Sequence, residues 1–286
     1  VPRFDTEVDV LCVGSRPPVL AAAISAAKAG MVVLVADWSP RRRTVDRAAP
    51  PPSWATALQS AWSRERLSDA TMAYLHALTD DVGQPECRQQ CSVVPRRHVD
   101  DPTALPRASS GSVAPFFGAD VLRWTRSCLN SPYGLLYSRI RIPGTHEVVQ
   151  ESGERLEINT LGPPPSHPLE ASLSAWMLAE ARDHGVGVCA VGPLRRLVFD
   201  DFAVVGAVFE EAPGTFAVRA RHGVALSTGD RGREATALSE AWQSTNSELG
   251  IVSTVASHFG RLELLTNPAS KARSDGYRSS RKTIPS

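Results

Sequence analysis

The chain has 286 residues, 42% of them hydrophobic, with a formal net charge of +1. That length buries a full core in one large domain or two small ones, and the apolar share excludes wholesale disorder. Near-neutral charge leaves no electrostatic footprint for nucleic acid or for an anionic membrane surface.

The opening VPRFDTEVDV has no basic segment followed by an apolar one, so no signal peptide is expected. Residues 8–13 are a nearly continuous apolar run, the pattern of a buried parallel strand. Residues 17–29 are rich in Ala, the best helix former, and Gly30 stands where a C′ glycine belongs. MVVLVA then predicts a second buried strand, ending at Asp37. Together these make a βαβ unit with a right-handed crossover. The apolar stretch 19–36 is broken by Lys28 and Gly30, so it reads as helix, turn and strand rather than a membrane span.

Residues 38–53 are Pro- and Arg-rich and irregular. Helices are predicted over 54–63 and 69–80, then a long surface excursion over 84–118, where prolines recur without periodicity. A further helix is expected over 119–129 and a strand in LLYSRIRI, residues 135–142. EVVQESGERLEINTL reads as a hairpin turning at Ser152-Gly153. GPPPSHP is a linker that places Pro168 at the N1 position of a helix over 169–184, with Leu169, Leu173, Trp176, Met177 and Ala181 on one face. VGVCAV follows as another buried strand. LRRLVF, AVVGAVFE and TFAVRAR are three short strands divided by turns at Asp200-Asp201 and Pro213-Gly214, and GVALSTG is a last apolar strand ending at Gly229. Beyond 230 the pattern weakens, and the basic, apolar-poor end reads as disordered.

Two stretches, 7–37 and 170–229, carry a resemblance to a known family. VDVLCVGS…LAAAISAAKAGMVVLVAD and LAEARDHGVGVCAVGPLRRLVFDDFAVVGAVFE…RARHGVALSTG resemble the FAD-binding domain of flavoproteins in the fumarate reductase, succinate dehydrogenase and 3-ketosteroid dehydrogenase group. The resemblance implies an α/β fold: a Rossmann-like parallel sheet with flanking helices and a β-meander, plus an irregular or β-rich insert. The expected organisation is a discontinuous FAD-binding-like domain over 1–83 and 162–260, an insert over 84–161 and a disordered tail over 261–286. FAD is the implied cofactor. Gly14 and Ser15 would begin the pyrophosphate turn, with Arg16 following. Asp37 would accept hydrogen bonds from the adenosine ribose. Val191 would face the adenine through its backbone, and Thr228 and Gly229 would lie near the pyrophosphate and adenosine. Each also has a plain structural reading as a strand-terminating or solvated turn residue.

The departures from that family are specific. Of its G-x-G-x-x-G frame over residues 14–19 only Gly14 remains, with Arg16 at the second glycine position and Val19 at the third. Pro17 and Pro18 fit a first helical turn, yet each lacks the N–H that such a helix end presents to a phosphate. The Gly/Ser-rich loop that follows the second strand in the family is here WSPRRRTVDRAAPPPSWAT, without a glycine. Residues 230–286 are too few for the family's substrate domain and its closing Gly-rich segment, and no catalytic residue carries over. The expectation is an FAD-dependent oxidoreductase-like protein whose cofactor binding is impaired or lost in the isolated chain. The alternative is a non-catalytic, flavoprotein-derived interaction module or decayed product.

Other constellations are weaker. Arg41, Arg42 and Arg43 follow the second strand, where some Rossmann proteins hold an NADP 2′-phosphate, but Asp37 would repel that group. Cys87, Cys91 and His98 form C-x3-C-x6-H without an evident fourth ligand, so no metal site is assigned. G-x-S-x-G and H-E-x-x-H are absent. Five scattered cysteines (Cys12, Cys87, Cys91, Cys128 and Cys189) suit reduced thiols and a cytoplasmic location. Segment 114–140 groups Phe116, Phe117, Trp124, Tyr133 and Tyr137 with Arg123, Arg126 and Arg139. That mixture suits a protein-partner surface or a ligand wall, although the plainer reading is that the aromatics fill the core and the arginines are solvated.

Overall fold

The computed structural model describes residues 3–38, 51–85, 93–99, 117–139, 142, 144–150, 153–164, 173–229 and 247–266. The chain begins with β1 (Thr6–Val13), α1 (Pro17–Lys28) and β2 (Val33–Asp37), the predicted βαβ unit. Nearly every residue of α1 from Pro17 to Ala26 is buried. A helix apolar all round must be enclosed on all sides, and the Ala run lets neighbouring backbone approach closely. Gly30, at φ +79°, ends it: the N–H of Gly30 donates to Ala27 O at 2.9 Å and that of Met31 to Ala26 O at 3.1 Å. This pair of bonds satisfies the last helical carbonyls and turns the chain into β2.

α2 (Trp54–Trp62) starts where the Ser53 hydroxyl accepts from Thr56 N at 3.2 Å, and α3 (Asp69–Thr79) follows. α2 buries Trp54, Ala55, Leu58, Ala61 and Trp62, one helical stripe. Then come β3 (Arg96–His98), α4 (Phe117–Leu129), β4 (Gly134–Tyr137), β5 (His146–Val149) and β6 (Arg155–Gly162). α5 (Leu173–Asp183) precedes β7 (Gly187–Ala190), and its buried Leu173, Met177 and Ala181 form the expected face. The chain continues through β8 (Leu194–Asp200), β9 (Ala203–Glu211), β10 (Gly214–Ser227), β11 (Ser247–Thr254) and β12 (Phe259–Thr266).

The fold is α/β, as expected. One twelve-stranded sheet runs β5-β6-β11-β12-β4-β10-β1-β2-β7, with β9 and then β8 branching from β10, and β3 pairing with β12. β10, β1, β2 and β7 are parallel, and β8, β9 and β10 form the antiparallel meander. Leu11 and Val13 pack on one face of the sheet with α2, while Val10 and Cys12 pack on the other with α1 and α5.

Several expectations need correction. TFAVRAR and GVALSTG are one strand, because β10 keeps pairing with β1 through a bulge at Gly223, whose φ is +142°. VGVCAV is not a buried strand: β7 lies at the sheet edge, with Gly187 and Ala190 exposed. The strand predicted over 135–142 ends at Tyr137. The surface excursion over 84–118 contains β3, and residues 86–92 and 100–116 of it lie outside the described residues. The weak pattern beyond 230 hides the β11–β12 hairpin, buried on both faces and so without alternation. β12 reaches Thr266, six residues into the stretch expected to be a disordered tail, and β4, β5 and β6 of the expected insert belong to the same sheet as β1. Leu169 and Pro168 lie outside the described residues.

Candidate functional site

In an open α/β sheet, ligands bind outside the carboxyl ends of the parallel strands, where the chain's direction of travel across the sheet reverses. From β1 the chain moves through α1 to β2, and β7 lies beyond, while β10 flanks β1 on the other side. By that rule, the crevice where a ligand would sit lies between the end of β1, at Gly14, and the end of β10, at Thr228.

Gly14 has φ +96° and open space where a Cβ would stand, and its N–H donates to Ala36 O at 2.8 Å. The Ser15 hydroxyl donates to Asp37 Oδ1 at 2.7 Å, which ties the first turn to the end of β2. Val191 N donates to Asp37 O at 3.0 Å, extending the β2–β7 ladder past Ala190. Gly14, Ser15, Asp37 and Val191 are thus brought together along one rim, where the resemblance places the start of the pyrophosphate turn at Gly14 and Ser15, the ribose at Asp37 and the adenine at Val191.

The other rim is engaged from within the chain. Thr228 N donates to Gly134 O at 3.0 Å, and the Thr228 hydroxyl donates to Cys128 O at 3.3 Å. Trp62 Nε1 donates to Ser227 O at 2.7 Å, and its side chain is buried. A Cβ on Gly229 would stand 2.7 Å from Pro132 O. The Ser227 hydroxyl is buried without a hydrogen-bond partner among the described residues.

At the start of α1, Arg16 is the N-cap residue, extended at φ −82°, and its side chain makes no capping bond. Pro17 and Pro18 occupy the next two positions, both buried, and Val19 is fully buried. The four N–H groups of a helix's first turn are what attract an anion, and prolines remove two of them here. A carboxylate, Asp37, stands at the neighbouring strand end. Asp37 puts a carboxylate at the end of β2, the group a ribose diol would bond, while the start of α1 lacks two of the donors that a pyrophosphate would use. Burial pushes the Cys12 thiol, two residues before Gly14, up to about 12, so it is a core side chain and no nucleophile.

Trp62, Pro132 and Gly134 were not marked by any local pattern. Their role depends on which strand end they meet, and no periodicity encodes that. Trp124, Tyr133 and Tyr137 of segment 114–140 are buried, while Arg123 is exposed and pairs with Asp120 at 3.1 Å. Phe116, Arg41, Arg42, Arg43, Cys87 and Cys91 lie outside the described residues. His98 ends β3 at the surface, and no cluster of three potential metal ligands occurs among the described residues. No helix among them is long and apolar enough to cross a membrane.

No protein-family model matches the chain, and no curated protein does. Among solved structures the chain is similar to 3-ketosteroid-delta4-(5alpha)-dehydrogenase from Rhodococcus jostii, at 19% identity and a TM-score of 0.32, over 79% of this chain and 46% of that one. It is similar to a myxobacterial chondrochloren halogenase, described as a variant of FAD-dependent halogenases, at 12% identity and a TM-score of 0.31, over 96% and 56%. A third is aklavinone-11 hydroxylase in complex with FAD and aklavinone, at 18% identity and a TM-score of 0.27, over 77% and 32%. The chain spans from about a third to a little over half of each of these structures. Scores this low establish neither a family nor a shared site.

Proposed function

We propose that the chain is an FAD-dependent oxidoreductase-like protein whose cofactor binding is impaired or lost in the isolated chain. The supporting frame is the βαβ unit, the meander and the rim that joins Ser15 to Asp37. One observation carries the impairment: Pro17 and Pro18 are buried at the first two positions of α1. A phosphate at that helix end meets pyrrolidine rings where it needs N–H donors, and an Arg16 side chain where backbone would have to approach. No residue is assigned a catalytic role, because none of the described residues at the crevice combines a shifted pKa with a reacting geometry.

The test is a visible spectrum of the purified protein and an FAD titration followed by quenching of flavin fluorescence. A colourless protein that leaves FAD unquenched up to about 0.1 mM, weaker than cofactor sites that retain their ligand through purification, is the expected result. A yellow protein with bound flavin overturns the impairment. Replacing Arg16 and Val19 with Gly and Pro18 with Ala is expected to raise FAD affinity by at least about tenfold, equivalent to about 1.4 kcal/mol.

A further inference from the structure

We infer that the crevice is occupied by the chain's own segment 128–134, the end of α4, the turn after it and the start of β4, which acts as an internal competitor of a nucleotide. This rests on the reading of the crevice as a nucleotide site and adds a second, independent cause of weak binding. The turn meets the carboxyl end of β10, half of the switch point, and takes its polar groups. Gly134 O accepts the Thr228 amide at 3.0 Å, which carries the antiparallel β10–β4 ladder one residue past the Ser227–Leu135 pair, and Cys128 O accepts the Thr228 hydroxyl at 3.3 Å. A strand-end amide and hydroxyl are the groups that a ligand at this edge would use. Both are already satisfied inside the protein.

The segment packs closely on the end of β10. A Cβ on Gly134 would collide with Cys128 O and Thr228 Oγ1, so only glycine lets the turn seat this deeply. On Gly229 it would stand 2.7 Å from Pro132 O and 2.9 Å from Pro132 Cα. The turn is pinned behind by Leu262 N donating to Tyr133 O at 3.0 Å, and closed on itself by Ser131 N donating to Cys128 O at 3.1 Å. Trp62 completes the enclosure by donating to Ser227 O. In contrast, the α1 rim has open space where a Cβ on Gly14 would stand. One side of the switch point is open and the other is filled.

Gly134→Ala in the full chain tests this, because the added methyl must push the turn off Thr228. ADP is titrated by calorimetry, and exchange of the Thr228 amide is followed in parallel. The expected result is faster exchange at Thr228 and ADP affinity raised at least tenfold over the unmodified chain. Faster exchange with unchanged ADP affinity overturns the inference, as does ADP affinity that is already equal in the unmodified chain. Should Gly134→Ala fail to fold, Ser131→Ala, which removes the hydroxyl that accepts the Tyr133 amide at 3.2 Å inside the turn and leaves Thr228 intact, is read by the same two measurements and judged by the same outcomes. The two readings fail separately. If the Arg16, Pro18 and Val19 replacements restore FAD while Gly134→Ala and Ser131→Ala leave ADP affinity unchanged, the internal competitor falls and the account of α1 stands. If Gly134→Ala gains ADP and the α1 replacements gain nothing, the reverse holds.

Discussion

Arg97 Nε donates to Glu263 Oε2 at 2.6 Å, joining β3 to the fully buried carboxylate of β12. Arg261 Nε donates to the other oxygen at 2.8 Å, and both guanidiniums lie over the Trp124 ring, 5.4 and 5.3 Å from its centroid. A carboxylate without access to water is tolerable only with such pairing. Arg97 also reaches Glu154 at 3.4 Å, which brings the charges of the group to balance. The network fastens α4, and hence the turn after it, to β12.

Glu263→Gln is therefore expected to lower stability by about 3 kcal/mol, since it leaves two mostly buried guanidiniums with the more exposed Glu154, on Arg97, as the remaining counter-charge of the group. Urea unfolding followed by tryptophan fluorescence measures this. An unchanged midpoint would mean that the arginines find water or another acceptor.

The outer edge of the meander is closed by a side chain rather than a strand. Leu197 N, on β8, donates to the Thr71 hydroxyl of α3 at 2.9 Å, and both residues are buried. Thr71→Val keeps the shape and orphans that amide, a loss of about 1–3 kcal/mol. Faster amide exchange at Leu197 is the local signature, and its absence would show that the edge is held by other contacts.

Phe202 is 99% exposed at the β8–β9 turn, with φ +66° after Asp201 at φ +43°. Both positions of such a two-residue turn need positive φ, which a phenylalanine adopts at a cost of about 1–2 kcal/mol. Phe202→Gly is expected to raise the thermal midpoint, with a gain of about 1 kcal/mol partly offset by glycine's greater freedom when unfolded. A lower midpoint would refute the strain.

Alkaline pH should unfold the protein through its buried acids. Burial raises the Cys12 thiol from 9.0 to about 12 and the Tyr74 hydroxyl from 10.0 to about 12, and Cys128 is also raised. Each stays protonated when folded and ionises earlier when unfolded. Their contribution is complete below pH 9 and is lost as pH rises from 9 toward 12. Melting temperatures across pH 8 to 11 are expected to fall, and to fall less steeply in Cys12→Ala. A parallel slope in that variant would remove Cys12 as a contributor. Among Cys12, Cys128 and Cys189, only the half-buried Cys189 should label with a thiol reagent before unfolding.

What the sequence by itself determined is local. The apolar run of β1, the Ala-rich α1 closed by Gly30 and the run of β2 specify a βαβ unit, because strand and helix periods and a positive-φ stop are written in neighbouring residues. The meander, with its Asp201 and Gly214 turns, is legible for the same reason, and so is the loss of donors at Pro17 and Pro18. Tertiary structure decided what no window of the sequence contains. It placed β11 and β12 between β6 and β4, joined TFAVRAR to GVALSTG across a bulge, and moved β7 to an exposed edge. It also set the Cys128 carbonyl against Thr228 and Trp62 against Ser227, contacts that span about 100 and 165 positions of chain. Such pairings depend on which backbone edges and cavities remain when the sheet closes, a property of the assembled core rather than of any stretch within it.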